Sequence, residues 1–299
     1  MKLRSATLLI ILATLIWGAT PAVMKLTLQE VPPFSLAFIR MFFATFVLVF
    51  FTIRKLHVEP RDFKNIIVAT LAGTTFNLTF FFFGLKYAPA INAALLVATT
   101  PIFTLLASHI FLREKLHRKI TIATIIALLG VVIIIGMPST GFNLIELAGN
   151  LLLLLSSLSW VFYELSSKKL LKIYDPITIT FYSTAIGALT FFPFAVFEFL
   201  QNPAWTNKVT TSGLLGIIYG IIFASVIAYW AWMKGLSKLG ATEASFFFYL
   251  DPISGAILAV ILLSETITSQ LFIGALFIAA AVVLVEYHRK AHPLYTKQK

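Results

Sequence analysis

Apolar residues run along this chain in unbroken blocks of about 20, separated by short polar stretches, a length that crosses the hydrocarbon core of a bilayer as a helix. The strict alternation of membrane barrel strands is missing, and backbone in lipid must satisfy its own hydrogen bonds, so helices are the reading. The blocks predict ten spans, over residues 5–24, 34–53, 65–85, 90–112, 119–136, 144–170, 177–200, 213–233, 242–263 and 268–287. Most connections are short, which makes consecutive helices antiparallel neighbours.

Composition agrees. Of 299 residues, 59% are hydrophobic and 12% charged, where a soluble domain carries about 25% charged residues. Mean hydropathy is +0.94. The expected fold class is therefore an all-α membrane protein, with the lipid bilayer as a partner. The net charge of +11 does not indicate nucleic acid, because the basic residues are not gathered on one soluble face. There is no cysteine, which removes disulfides and thiolate metal sites.

The basic residues set the orientation instead. Lys2 and Arg4, Arg54, Lys55, Arg61 and Lys64, Arg113, Lys115, Arg118 and Lys119, Lys168, Lys169 and Lys172, Lys234 and Lys238, and Arg289, Lys290, Lys297 and Lys299 all fall on one side of the ten spans. Lys25, Lys86 and Lys208 fall on the other, and Arg40 lies within a span. The positive-inside rule places the first side, and both termini, in the cytoplasm. The basic start followed by an apolar run resembles a signal peptide, but cleavage would remove a helix that the internal repeat requires.

That repeat is visible as residues. Gly84 to Glu114 aligns with Gly235 to Glu265 at a separation of 151, with identities at Gly84, Leu85, Ala90, Ala93, Pro101, Ile102, Ile110, Leu112 and Glu114. Upstream, Trp17 and Lys25 align with Trp160 and Lys168, and Pro33 with Pro176, at a separation of 143. An insertion within 201–212 accounts for the shift. The chain divides into residues 1–142 and 143–299, each with five spans. Five is odd, so the second half must be inverted relative to the first, the construction of many secondary transporters, whose sites lie at midplane between the repeats.

The WGATPAVMK stretch, the PPFSLAFIRMFFA stretch with Arg40, the paired Pro101 and Pro252, and the closing Glu114 and Glu265 resemble the EamA-type transporters of the drug/metabolite transporter superfamily. The resemblance spans nearly the whole chain. It implies a ten-helix bundle of two inverted five-helix repeats around a central cavity, and movement of small metabolites, with amino-acid export in many bacterial members. Charges do not follow the repeat: Ser183 holds the place of Arg40, and Pro21 that of Glu164.

Asp251-Pro252 stands in the middle of the ninth span. An acid at that depth is a functional-site hypothesis by default, able to carry a proton or bind a cation; its bland reading is a hydrogen bond to a neighbour or a pair with Arg40. Thr100 holds the matching place in the first half. Pro101 and Pro252 each remove a backbone hydrogen bond in mid-span, and their recurrence marks them as helix kinks that free carbonyls toward a site. Ser156, Ser157, Trp160, Tyr163, Glu164 and Ser167 share one helical face in the sixth span, a cavity wall or interhelical glue. Glu164 either serves substrate or proton, or pairs with Lys168 four residues on. Arg40 either braces the packing and snorkels to the headgroups, or binds a substrate carboxylate. Asn77 is a further candidate on the third span. Trp17, Tyr229 and Tyr249 offer aromatic surface to an amphipathic substrate or a cation, whereas Phe246 to Phe248 read as lipid-facing or core.

The expected function is thus a secondary transporter, an exporter of small organic metabolites such as amino acids or amines by alternating access, in a bacterial or archaeal plasma membrane. The alternatives are an uncoupled channel-like facilitator and an intramembrane enzyme. No HExxH, G-x-S-x-G, P-loop or dinucleotide fingerprint is present. No cofactor or metal is expected; the acids make proton coupling a candidate.

Overall fold

The computed structural model describes residues 3–53, 56–112, 118, 122–123, 125–126, 129–130, 133 and 143–291. Most of the fifth predicted span lies outside the described residues, as do Glu114 and the basic residues Lys2, Arg54, Lys55, Arg113, Lys115, Lys119, Lys297 and Lys299.

Among the described residues there are helices and no strands. We name them α1 (Leu3–Thr27), α2 (Pro33–Thr52), α3 (Pro60–Tyr87), α4 (Ala90–Val97 and Thr100–Leu112), α5 (Leu144–Leu170), α6 (Pro176–Gln201), α7 (Thr211–Leu236), α8 (Ala241–Ser245, Phe246–Leu250 and Asp251–Leu263) and α9 (Ser269–Ala291). Seven of the described helices are long and apolar enough to cross a membrane, and Phe247–Leu263 and Ser269–Ala281 are shorter apolar helices. The protein is an integral membrane protein.

Local chemistry fixes the helix ends. Pro33, Pro60 and Pro176 open α2, α3 and α6, where the missing N–H costs nothing. Asn143 accepts from the amides of Ile145 and Glu146 and caps α5. Ser264 closes α8 with φ of 53°, the left-handed conformation usual at a helix C-terminus.

Besides the segmented α4 and α8, two helices contain a π-helical stretch. α3 is π-helical over Leu71–Phe76 and α7 over Tyr219–Ile227. A π segment carries an extra residue per turn and leaves carbonyls out of register for other donors, which is why such segments often occur at functional sites. At the 151-residue separation, Leu71–Phe76 corresponds to the second part of the segment in α7.

The packing is an exchange between halves. α1 packs on α7 and α8, α5 packs on α3 and α4, and α2 lies along α6. Small residues permit the closest crossing: a Cβ on Gly18 would stand 2.0 Å from Ser254 Oγ and 3.0 Å from Asp251 Cα, and one on Gly255 2.5 Å from Ala94 Cβ and 2.9 Å from Gly18 O. α1, α4 and α8 therefore meet backbone to backbone. Outside the bundle, Phe46, Phe50, Leu189, Phe197 and Leu200 on α2 and α6 are exposed, a surface suited to acyl chains.

The bundle ends are tied in matching ways. Lys25 Nζ donates to Ala88 O at 2.6 Å; Lys168 Nζ donates to Leu236 O at 2.6 Å and Leu239 O at 2.5 Å. Lys25 and Lys168 match at the separation of 143, and Ala88 and Leu239 at 151.

Candidate functional site

Both α4 and α8 break in mid-span. In α4 the first half ends at Val97, Ala98 and Thr99 form a turn, and a new helix starts at Thr100 with Pro101 in its first turn. In α8 a 3-10 turn over Phe246–Leu250 leads into a new helix starting at Asp251 with Pro252 at its head. The prolines sit where a missing N–H is tolerated. They mark an interruption of the α-helical hydrogen bonding at each position, with the backbone still right-handed helical at Ala98 and Leu250. Asp251 and Thr100 occupy matching first positions of the two inner half-helices.

These breaks open onto a central cavity of about 90 Å³. Its wall brings together nine of the residues singled out from sequence: Trp17, Arg40, Asn77, Thr100, Ser156, Ser157, Trp160, Tyr229 and Asp251. Asp251 is buried, its Oδ1 has no hydrogen-bond partner, and its carboxylate makes no ion pair among the described residues. The bland readings of a bonded acid, or of a pair with Arg40, are not what the geometry gives.

Aromatic rings form one wall. Trp17 lies with its ring centroid 4.9 Å from Trp160 and 5.4 Å from Tyr229, both edge to face. Phe248 stacks on Trp17 at 6.2 Å and contacts Trp232 at 4.5 Å. Polar tips are anchored on the π segments: Trp17 Nε1 donates to Ala224 O at 3.0 Å, and Tyr229 Oη donates to Gly73 O at 3.3 Å. Gly73 and Ala224 are equivalent positions of the two halves, so each π segment offers the same carbonyl to an aromatic side chain from the opposite half. Tyr219 Oη adds a short hydrogen bond to Ile16 O.

Arg40 corrects one expectation. It is buried, and its side chain does not snorkel outward. Nε donates to Gly220 O and Ser225 Oγ, both at 3.3 Å, Nη2 to Ser225 Oγ at 3.2 Å, and the guanidinium lies 5.4 Å from the Phe82 ring centroid. Gly220 leaves the room: a Cβ there would approach Arg40 Cδ to 2.8 Å. The arginine thus braces the π segment of α7, whose Gly220 O also accepts from Ser225 Oγ at 2.7 Å.

The remaining candidates separate. Glu164 is buried off the cavity, with Oε2 accepting from Thr104 Oγ1 at 3.0 Å and Oε1 without a partner. Lys168 is turned to the carbonyls of Leu236 and Leu239. Tyr163 also lies off the cavity, 2.7 Å from Ser183 Oγ, with its ring in the space Gly73 leaves. Tyr249 does not line the cavity; half-buried, it packs against Ile102, Ala123 and Ala281. Asn77 lines it, yet Nδ2 donates at 2.9 Å to both Ser156 O and Ser156 Oγ, which makes it a clamp between α3 and α5. The polar face of α5 is buried throughout, but only Ser156, Ser157 and Trp160 of it reach the cavity.

Phe248, read as lipid-facing or core, is a core residue that also lines the cavity; that second role, foreshadowed by its position three residues before Asp251, and the π segments were not read from the sequence. Gly73-Thr74 and Gly220 with Ser225, small and polar residues in apolar spans, were the trace of the π segments.

The chain matches the EamA-like transporter family twice, over residues 4–136 and 147–287. It belongs to that family. Among relatives, an uncharacterized transporter of Archaeoglobus fulgidus is 31% identical over 281 residues, covering 93% of this chain and 96% of that one. The Bacillus subtilis protein YoaV, also an uncharacterized transporter, is 27% identical over 92% of this chain and 94% of its own length. A probable amino-acid metabolite efflux pump of Salmonella typhimurium is 25% identical over 94% of each chain. A solved crystal structure superposes with a TM-score of 0.70 at 20% identity, covering 96% of this chain and 98% of that one, which shows the shared fold. The family and these relatives make the protein a transporter.

Proposed function

We propose that the protein is a secondary transporter that exports small organic metabolites such as amino acids or amines, by alternating access of two inverted five-helix repeats, residues 1–142 and 143–299, around the central cavity. The observation that carries this reading is the pair of broken helices. α4 and α8 are interrupted at Thr100-Pro101 and Asp251-Pro252, and both interruptions border one cavity. Discontinuous helices meeting at a shared site are a recurrent transporter construction.

Three further observations support a repeat, and five spans per half would invert the second copy. The helix contacts exchange between halves, the two lysine ties sit at matching positions, and the family matches each half separately. Rocking one half against the other would exchange which tied end is closed. Both termini are assigned to the cytoplasm on the distribution of Lys and Arg. Asp251 and Glu164 are the acids placed to couple transport to protons, Asp251 in the cavity wall and Glu164 behind it.

Flux into proteoliposomes tests the proposal, with amino acids, polyamines and nucleotide sugars compared with and without a proton gradient. Saturation with counter-exchange is expected for one class. Flux linear in concentration without counter-exchange would instead indicate a channel-like facilitator, and chemical turnover of a lipid-soluble substrate an intramembrane enzyme.

A further inference from the structure

We infer that the central cavity takes a small organic monocation, an alkylammonium without a carboxylate, with its charged group at Asp251 and its alkyl part against Trp17, Trp160, Tyr229 and Phe248. This names the substrate class of the proposed transport site and rests on that reading for its biological use, though not for the binding itself.

Asp251 supplies the first argument. Its Oδ1 is buried without a partner, and no ion pair reaches it among the described residues. A carboxylate out of water without a counter-charge is strongly unfavourable, so such a group is found protonated, paired or bound to a cation. A cation with N–H donors brought against Asp251 would satisfy Oδ1 and let the carboxyl ionise in place.

The walls supply the second. Trp17, Trp160, Tyr229 and Phe248 border the same space as Asp251. The face of an aromatic ring is electronegative and attracts a cation within about 6 Å, most strongly for Trp and where water is excluded.

Arg40 supplies the third. A substrate carboxylate would need a cation in the wall, and among the described lining residues Arg40 is the one available. Its Nε and Nη2 are already committed to Gly220 O and Ser225 Oγ. These bonds take the Nε–Nη2 edge, and Nη1 donates to Met24 Sδ at 3.7 Å, which leaves a substrate carboxylate only the Nη1–Nη2 end, in competition with the Met24 contact. A zwitterion would therefore find its ammonium matched at Asp251 and its carboxylate met only by a partly engaged guanidinium. Size is consistent with a short chain, since the cavity is about 90 Å³.

The test uses full-length protein in lipid nanodiscs and three probes of one carbon skeleton: n-butylammonium, 2-aminobutyrate and butyrate. Binding is followed by tryptophan fluorescence and calorimetry. Butylammonium is expected to saturate with an affinity at least tenfold above 2-aminobutyrate, and butyrate not to bind. Asp251→Asn should weaken butylammonium at least tenfold while thermal unfolding and helix content stay unchanged. Equal or tighter binding of 2-aminobutyrate, binding of butyrate, an unaltered Asp251→Asn affinity, or no binding of any probe would each overturn the inference. Should Asp251→Asn fail to fold, the ranking of the three probes on the unaltered protein decides, with Phe248→Leu expected to weaken butylammonium several-fold. Saturable flux of an amino acid without butylammonium binding would overturn this inference and leave the transport reading standing. Butylammonium binding without flux would do the reverse.

Discussion

Lys25 Nζ lies 3.2 Å from Glu265 Oε1, a contact between the end of α1 and the residue just beyond α8. Glu265 does more than pair: its carboxylate also accepts from the amides of Ala90 at 2.8 Å and Ile91 at 2.9 Å, so a residue of the second half caps the first turn of α4. Glu265→Ala is expected to lower unfolding free energy by about 1–3 kcal/mol, the range for charge-assisted bonds lost from a partly buried site. Lys25→Met loses both the pair and the bond to Ala88 O at 2.6 Å, about 1–3 kcal/mol as well, while the cap on α4 survives. Thermal unfolding in detergent of the two variants and of the double variant checks this: the two losses should add except for the shared ion pair, and a Glu265→Ala without effect would contradict the capping role.

Gly18 and Gly255 bring α1 and α8 into contact beside the cavity. Gly18→Ala would place a methyl against Ser254 Oγ and the Asp251 backbone, and Gly255→Ala one against Ala94. Each is expected to destabilise by about 1–3 kcal/mol through overpacking. Their effects should not add, since both act on one crossing. A double-mutant cycle measured by unfolding reads the coupling, and strict additivity would separate the two contacts.

Arg40 offers a choice between brace and ligand. As a brace, Arg40→Lys loses the fixed fork that meets Gly220 O and Ser225 Oγ, for about 1–3 kcal/mol of stability. Flux through the protein that remains folded should keep its KM. A KM raised at least tenfold with unaltered unfolding would assign Arg40 to the substrate instead.

Glu164 sits behind the cavity wall. Glu164→Gln keeps an acceptor for Thr104 Oγ1 and does not itself line the cavity, so substrate KM is expected to stay within about twofold, a change of about 0.4 kcal/mol. If Glu164 is a coupling acid, the same variant should abolish the response of flux to a proton gradient. A shift in KM with intact coupling would place the residue in the binding site.

Tyr229→Phe removes one hydrogen bond from the π segment of α3 and preserves the ring. The expected loss is about 0.5–1.5 kcal/mol of stability, with cation binding nearly unchanged because the aromatic face remains. Tyr229→Leu should weaken binding as well. Comparing the two by calorimetry distinguishes the hydroxyl's anchoring from the ring's contribution to the wall.

Much of the architecture could be read from residue order because lipid imposes it. Apolar blocks had to be helices, and α5 runs over 144–170 as the pattern predicts. Pro101 and Pro252 had to interrupt their spans, since proline cannot donate to the preceding turn wherever the helix lies. Repeat matching also aligned Lys25 with Lys168, before either had an acceptor.

Partners were decided only by the tertiary structure. Arg40 at its depth could have reached the headgroups, and it turned inward because Gly220 left room and the π segment presented Gly220 O and Ser225. Glu164 and Asp251 look alike along the chain, yet one meets Thr104 off the cavity and the other borders it with an unsatisfied oxygen. The physical reason is that helical periodicity tells which residues share a face, whereas which helix that face meets depends on close crossings such as Gly18 against Asp251. Sequence determined that an acid and a proline stand together in mid-membrane; the fold determined that the acid stands there without a partner.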